Sequence, residues 1–258
     1  MMKRFLVPTD FTDSSIFAIG SAAGLAEKFG AQVILVHVVD KPTKSDELAA
    51  EVERVLKMDE LKNVNYHYQQ TTGDVVDSIV EQEADLIVMG SEGASGLESF
   101  FVGTNAEKVA KKAKCPVVVV KTRTDLTKLK RIVFPTNMNR EDDEMIEELK
   151  YLQKEFGSKV HIIKAFDDTL MTAREVEKRL TDFAEFHQIE NYAVAAIAGI
   201  DEGEMIINYA EKVMADIILL ATHNRKGIDR VFAGHISSEV INESHIPIWT
   251  RSIELPSL

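Results

Sequence analysis

Within "VMGSEGASGLESFFVGTN", residues 88–105, Gly90 and Gly93 stand in G-x-x-G spacing, and Gly103–Thr104 follows after nine residues. Glycine has no side chain to act as acid, base or nucleophile. What this spacing offers is bare main chain, because backbone N–H groups approach a phosphate most closely where no Cβ stands in the way. Gly103, Thr104 and Asn105 fall at the predicted start of a helix over 104–114. Its free N–H groups and partial positive charge form an anion site. Thr104 also precedes Glu107 by three residues, a capping box that serves the helix with or without a ligand. The chemistry on offer is the holding of a polyphosphate. Gly96 lies outside the spacing and reads as loop geometry.

The elements around this loop must place it. "FLVP" and "VILVHVV" are apolar throughout, as are strands of a parallel sheet covered on both faces. Between them, "DSSIFAIGSAAGLAEKFG" reads as a helix. Asp13 or Ser14 is placed to cap it, Ile19, Ala22, Ala23 and Ala26 recur at helical spacing, and Gly30 suits a left-handed exit. Residues 45–62 read as a second helix and "NYHYQQTT" as a third strand; Gly73 opens the next helix, and "LIVMG" and "PVVVV" close the series. Five strands alternating with four helices predict a doubly wound α/β sandwich. In such sheets ligands sit beyond the carboxyl ends of the strands, where strand order reverses. Asp10 ends the first strand and Gly90 the fourth, so adjacency of those strands sets the two face to face. Asp10 can then accept hydrogen bonds from a ribose or an adenine amine, and Val38, at the end of the second strand, can flank a base.

The same pattern occurs twice. "FLVPTDF" matches "IVFPTNM", "EKFGAQVILVHVVD" matches "KEFGSKVHIIKAFD", "ADLIVMG" matches "ADIILLA", and "CPVVVVK" matches "IPIWTRS". Two domains, 1–125 and 126–258, are expected, joined through the polar stretch "KTRTDLTKLK". In the second copy Gly90 becomes Ala221, Gly93 becomes Asn224, Thr104 becomes His235, Asp10 becomes Asn137 and Val38 becomes Ala165, while Gly103 survives as Gly234. A methyl and an amide in the phosphate path predict a degenerate site. Arg225, Lys226 and Arg230 read as a solvated basic loop, and His223 and His235 lack a third ligand at zinc spacing.

G-x-x-G, nine residues, then G-[S/T] resembles the signature of the ATP-binding universal stress proteins. "VPTD", "LVHVV", "ADLIVMG" and "CPVVVV" are similar to that family too, and the resemblance spans nearly the whole chain as a tandem of two domains. It implies tandem five-stranded parallel-sheet domains of the adenine nucleotide alpha-hydrolase-like type. It implies ATP, with Mg²⁺ as its companion ion, bound by the first domain with adenosine near Pro8, Thr9, Asp10 and Val38. The triphosphate would lie against Met89, Gly90, Gly93, Gly103, Thr104 and Asn105. It also implies pairing of the two domains through their last strands, and it leaves a homodimer open.

Composition narrows the function further. A net charge of −12 disfavours nucleic acid and anionic membranes as partners, and the single Cys115 rules out an internal disulfide framework. The opening "MMKRFLVPTDFTDSS" lacks the apolar core of a secretory signal, and no uncharged apolar run reaches the roughly 20 residues of a membrane span. A cytoplasmic protein is expected. No Walker A lysine motif, G-x-G-x-x-G after the first strand, or G-x-S-x-G elbow occurs, so no catalytic and no metal-ligating residue is assigned. His37 reads as a satisfied core residue, and Glu92 and Glu98 as solvated charge. Slow ATP hydrolysis is left open. The expected function is a nucleotide-binding stress or regulatory protein, with a nucleotide-free scaffold and an adenylating enzyme as the alternatives.

Overall fold

The computed structural model describes residues 2–41, 46–91, 105–138, 143–166, 171–223 and 230–253. They form two compact units, Met1–Thr127 and Lys128–Leu258. Unit 1 contains β1 (Arg4–Pro8), α1 (Asp13–Phe29), β2 (Gln32–Val39), α2 (Asp46–Leu56) and β3 (Tyr66–Thr72). It continues through α3 (Val75–Val80), β4 (Leu86–Gly90), α4 (Asn105–Lys112) and β5 (Val117–Val120). A 3-10 turn, Asp59–Leu61, completes the region predicted as one helix over 45–62. The strands run parallel in the order β3-β2-β1-β4-β5. Phe5, Leu6 and Val7 are fully buried, as a strand covered on both faces requires.

Helix α1 lies across β1, β2 and β4. Ala18, Ile19, Ala22, Ala23 and Ala26 are all fully buried, and these small side chains bring its axis close to the sheet. At its end Gly30 takes φ 64°, and the Ala31 N–H returns to Ala26 O at 2.9 Å, satisfying a terminal carbonyl. Its start corrects the expectation that Asp13 or Ser14 caps it. Thr12 holds the cap position and makes no side-chain cap hydrogen bond, its hydroxyl being spent on Asp10 at 2.6 Å. Strand order reverses at β1: β2 and β3 lie to one side and β4 and β5 to the other. That opens a crevice between the carboxyl ends of β1 and β4.

Unit 2 repeats the plan with β6 (Arg131–Pro135), α5 (Asp143–Phe156), β7 (Lys159–Phe166), α6 (Ala173–Phe186) and β8 (Tyr192–Ala198). It ends with α7 (Glu202–Lys212), β9 (Ile217–His223), α8 (Arg230–Glu243) and β10 (Ile248–Ile253). Its strands are also parallel, in the order β10-β9-β6-β7-β8. A capping box opens α6: Glu175 N–H donates to Thr172 Oγ1 at 3.3 Å, and Thr172 N–H to Glu175 Oε2 at 2.8 Å. Trp249, fully buried on β10, donates its indole N–H to Glu148 Oε1 of α5 at 2.9 Å. Arg251 approaches the other oxygen of Glu148 at 3.5 Å, so this buried carboxylate has a cationic neighbour. The stretch 121–130, polar in sequence, still buries Leu126 and Leu129. Among the described residues no helix is long and apolar enough to cross a membrane.

Candidate functional site

A cleft of about 460 Å³ opens at the β1/β4 reversal in unit 1. Pro8, Thr9 and Asp10 form one lip, Met89 and Gly90 the opposite one, and Asn105, the first residue of α4, closes the end. Val38 lies along the wall with Val36, Val75 and Ile79, which together make an apolar surface. The cleft therefore gathers seven of the site residues expected from the sequence: Pro8, Thr9, Asp10, Val38, Met89, Gly90 and Asn105. Gly93, Gly103 and Thr104 lie outside the described residues.

Local hydrogen bonding explains the shape of the β1 lip. The Thr9 hydroxyl lies 3.1 Å from Ser15 Oγ and accepts the Phe11 N–H at 3.1 Å. Ser15 Oγ donates to Thr12 O at 2.9 Å. These bonds hold Phe11 at φ 65°, a left-handed conformation that large side chains rarely adopt. Thr9 thus works as an internal fastener of the turn. Asp10 Oδ1 accepts both the Thr12 N–H, at 3.1 Å, and the Thr12 hydroxyl. Partial desolvation pushes the Asp10 carboxyl up, but the hydroxyls of Thr12 and Ser15 and the backbone N–H groups outweigh it, and the net shift is downward. Asp10 is thereby a fixed anion at the cleft mouth. His37 faces the Tyr68 hydroxyl across 3.4 Å and packs edge-on against Phe11 with ring centroids 4.8 Å apart. Burial holds its imidazole below the usual value, against the pull of Asp10 in the other direction.

Gly90 has a steric reason of its own. A Cβ there would stand 2.2 Å from Ser14 O, 2.3 Å from Ser14 C and 2.7 Å from Ser15 N, all backbone atoms of the first turn of α1. The glycine lets that turn sit against the end of β4, and the same bare backbone floors the cleft.

The equivalent lip of unit 2 keeps the turn and changes the chemistry. Met138 N–H donates to Thr136 Oγ1 at 2.8 Å, and Met138 holds φ 59°. Where unit 1 has Asp10 and His37, unit 2 has Asn137 and Lys164, and the Lys164 ammonium donates to Asn137 Oδ1 at 2.7 Å. Burial pulls the Lys164 ammonium below its ordinary value, opposed by Glu202. The acceptor at this position takes its hydrogen bonds from neighbouring Thr12 in unit 1 and from the Lys164 ammonium in unit 2. Asn224 lies outside the described residues, and the description of Gly234 and His235 is confined to their backbone within α8.

The model of the universal stress protein family matches residues 1–121 and again 128–250. The chain belongs to the universal stress protein family. A universal stress protein of Methanocaldococcus jannaschii is 37% identical over 141 residues, covering 47% of this chain and 83% of that protein. One from Thermus aquaticus is 26% identical over 137 residues, covering 47% of this chain and all of its own length. Among solved structures, a universal stress protein of Archaeoglobus fulgidus superposes with a TM-score of 0.74 at 20% identity, over 97% of this chain and 96% of its own. At that identity the likeness speaks for the fold, a tandem of two universal stress protein domains.

Sequence reasoning missed part of the cleft. Thr12, Ser14 and Ser15 line its polar side, and Val75 and Ile79 its apolar side. Ser14 was legible only as a candidate helix cap, and Thr12 and Ser15 carried no signal. Ile79 is a buried residue of α3 and Val75 an exposed one, and no spacing in the sequence says that this helix borders a cleft.

Proposed function

We propose that unit 1 binds an adenine nucleotide, ATP accompanied by Mg²⁺, and that unit 2 has given up this role. The observation that carries the reading is the cleft itself, at the β1/β4 reversal, with an apolar wall, a fixed carboxylate and a side-chain-free floor in one volume. About 460 Å³ falls within the roughly 300–1,000 Å³ of ordinary small-ligand sites. An adenine ring suits the wall of Val36, Val38 and Ile79. Asp10, held in place through Oδ1 by Thr12, lines the cleft as an acceptor for a ribose hydroxyl. The phosphates then run over Gly90 toward Asn105 at the start of α4, and by the family signature Gly93, Gly103 and Thr104 would add backbone N–H groups. The one carboxylate that a cleft hydroxyl reaches, Asp10, is held below its usual value by its hydrogen bonds and is a weak base, which favours retention of the nucleotide over turnover. Occupancy would then act as a regulatory signal in a cytoplasmic stress response.

Calorimetric titration of the full chain with ATP, with and without Mg²⁺, tests this. One nucleotide per chain is expected. No heat under either condition overturns the reading, and a second equivalent site overturns the assignment of unit 2.

A further inference from the structure

The duplication supplies an internal comparison where the third and fourth helices of each unit pack together. In unit 1 the contact between α3 and α4 includes an ion pair, Lys112 Nζ to Asp77 Oδ1 at 3.1 Å. The alignment that takes Gly90 to Ala221 takes Lys108 and Lys112 of α4 to Glu239 and Glu243 of α8. At the start of the third helix of each unit, Asp74 caps by accepting the Asp77 N–H and Asp201 by accepting the Glu204 N–H, so Asp74 and Asp77 correspond to Asp201 and Glu204. Both lysines are thus replaced by carboxylates while the facing carboxylates stay. Unit 2 nevertheless keeps α7 packed on α8.

We propose that a proton shared between Asp201 and Glu239 latches α8 to the first turn of α7, making unit 2 responsive to pH where unit 1 is held by fixed charges.

Two features of the geometry carry this. Asp201 caps α7, its Oδ1 accepting the Glu204 N–H at 3.1 Å. Gly203, buried in that turn, has no left-handed backbone to account for it. A Cβ there would stand 2.3 Å from Cδ and Oε2 of Glu239 and 2.8 Å from its Oε1. The missing side chain is the seat of the Glu239 carboxyl group. The Glu239 carboxyl thus lies on the turn that Asp201 caps, and each of the two carboxyls acts on the other; two carboxyl groups bond directly only when one carries a proton.

The surroundings leave that proton on Glu239. Burial, the hydrogen bond to Asp201, and the charges of Asp201, Glu243 and Glu204 push Glu239 up to about 7. Asp201 is held low by the Glu204 N–H first and then by its bond to Glu239. Every charged group acting on Glu239 among the described residues is acidic. Glu202, on the same turn, acts on Lys164 instead. The described side chains of β9, on which α8 rests, are uncharged. A carboxyl whose folded value is raised contributes stability that is complete below its ordinary value of 4.5 and is lost as pH rises through about 7. The latch is therefore closed in acid and released toward alkaline pH, across the range in which a cytoplasm acidifies. This behaviour does not depend on nucleotide binding by unit 1.

The test uses the full chain labelled with ¹³C at the glutamate side-chain carboxyls, titrated by NMR, with Glu239 assigned from the Glu239→Gln spectrum. One glutamate is expected to titrate near 7 and to vanish in that variant; titration of Glu239 in the ordinary glutamate range overturns the proposal. The function of the latch is read separately, from the thermal unfolding of unit 2 followed by Trp249 emission over about pH 5.5–8.5. The wild type is expected to lose stability as pH rises. Glu239→Gln, whose amide N–H donates to Asp201 at every pH, should flatten that slope. Asp201→Asn, which keeps a cap but removes the facing charge, should move the Glu239 midpoint down by about one unit or more. An unaltered slope in Glu239→Gln together with an unaltered midpoint in Asp201→Asn refutes the shared proton.

Discussion

Replacing Gly90 by alanine separates two demands made on one residue. If this glycine served only a ligand, the nucleotide-free protein would be indifferent to a methyl group. The structure says otherwise: the new Cβ would lie 2.2 Å from Ser14 O, where ordinary contact begins at 3.4 Å, so more than an ångström of movement is needed. The obstructing atoms are backbone, and α1 is anchored by a face of fully buried residues from Ala18 to Ala26. The helix cannot slide cheaply. Overpacking of this kind costs about 1–3 kcal/mol, and backbone obstruction places Gly90→Ala near the upper end. For a unit of this size each kcal/mol lowers the melting temperature by roughly 3–5 °C, so a fall of roughly 6–15 °C is expected. Thermal unfolding followed by far-ultraviolet circular dichroism, without nucleotide, measures it. Gly20→Ala is the control. It sits inside α1 with its added Cβ no closer than 3.7 Å to Glu60, so it should gain roughly 0.5–1 kcal/mol in helix propensity. A Gly90→Ala protein melting within about 2 °C of the parent refutes the steric argument.

The lip carboxylate gives a second prediction: Asp10→Ala weakens ATP binding by about 1–3 kcal/mol, roughly 5- to 150-fold, in a calorimetric titration, while Lys164→Ala leaves it unchanged. Asp10 also has a depressed folded value, so its contribution to stability is present above its ordinary value of 3.8 and lost as pH falls through the folded one. Asp10→Asn should flatten the acid end of the stability curve. Trp249→Phe leaves the Glu148 carboxylate buried without its indole donor and should cost about 1–3 kcal/mol in urea unfolding followed by circular dichroism. Thr172→Ala removes the cap of α6 and should cost about 0.5–2 kcal/mol in the same experiment, with no effect on ATP affinity.

Much of the architecture was legible because central strands such as β1, β4 and β5 are covered on both faces. Unbroken apolar runs such as "LIVMG" and "VILVHVV" admit few other readings, and the internal repeat supports each assignment twice. That Asp10 and Gly90 line one cleft could be foreseen because Asp10 lies just past β1 and Gly90 ends β4, the two strands flanking the order reversal. Other features depend on atoms that spacing does not reveal. Asp10 and Thr12 hydrogen-bond each other, so the helix cap expected at Asp13 or Ser14 falls at Thr12 without a side-chain bond. Leu126 and Leu129 sit in a polar stretch and carry no periodic signal, yet both are buried. Lys164 reads as an ordinary charge on a strand until its reach to Asn137 is seen, and Gly203 reads as a poor helix former until the carboxyl lying on it is seen.

The left-handed residue after the first strand of each unit has a practical consequence. Phe11 and Met138 share one kind of bend, fastened by the hydroxyls of Thr9 and Thr136 respectively, although Lys164 occupies the neighbouring acceptor in only one of them. The bend is thus a property of the strand-to-helix joint and outlasts whatever the joint once embraced. An engineer wishing to graft a binding function onto the carboxyl-terminal half would find its scaffolding at this lip already in place, with only the furnishing side chains to exchange.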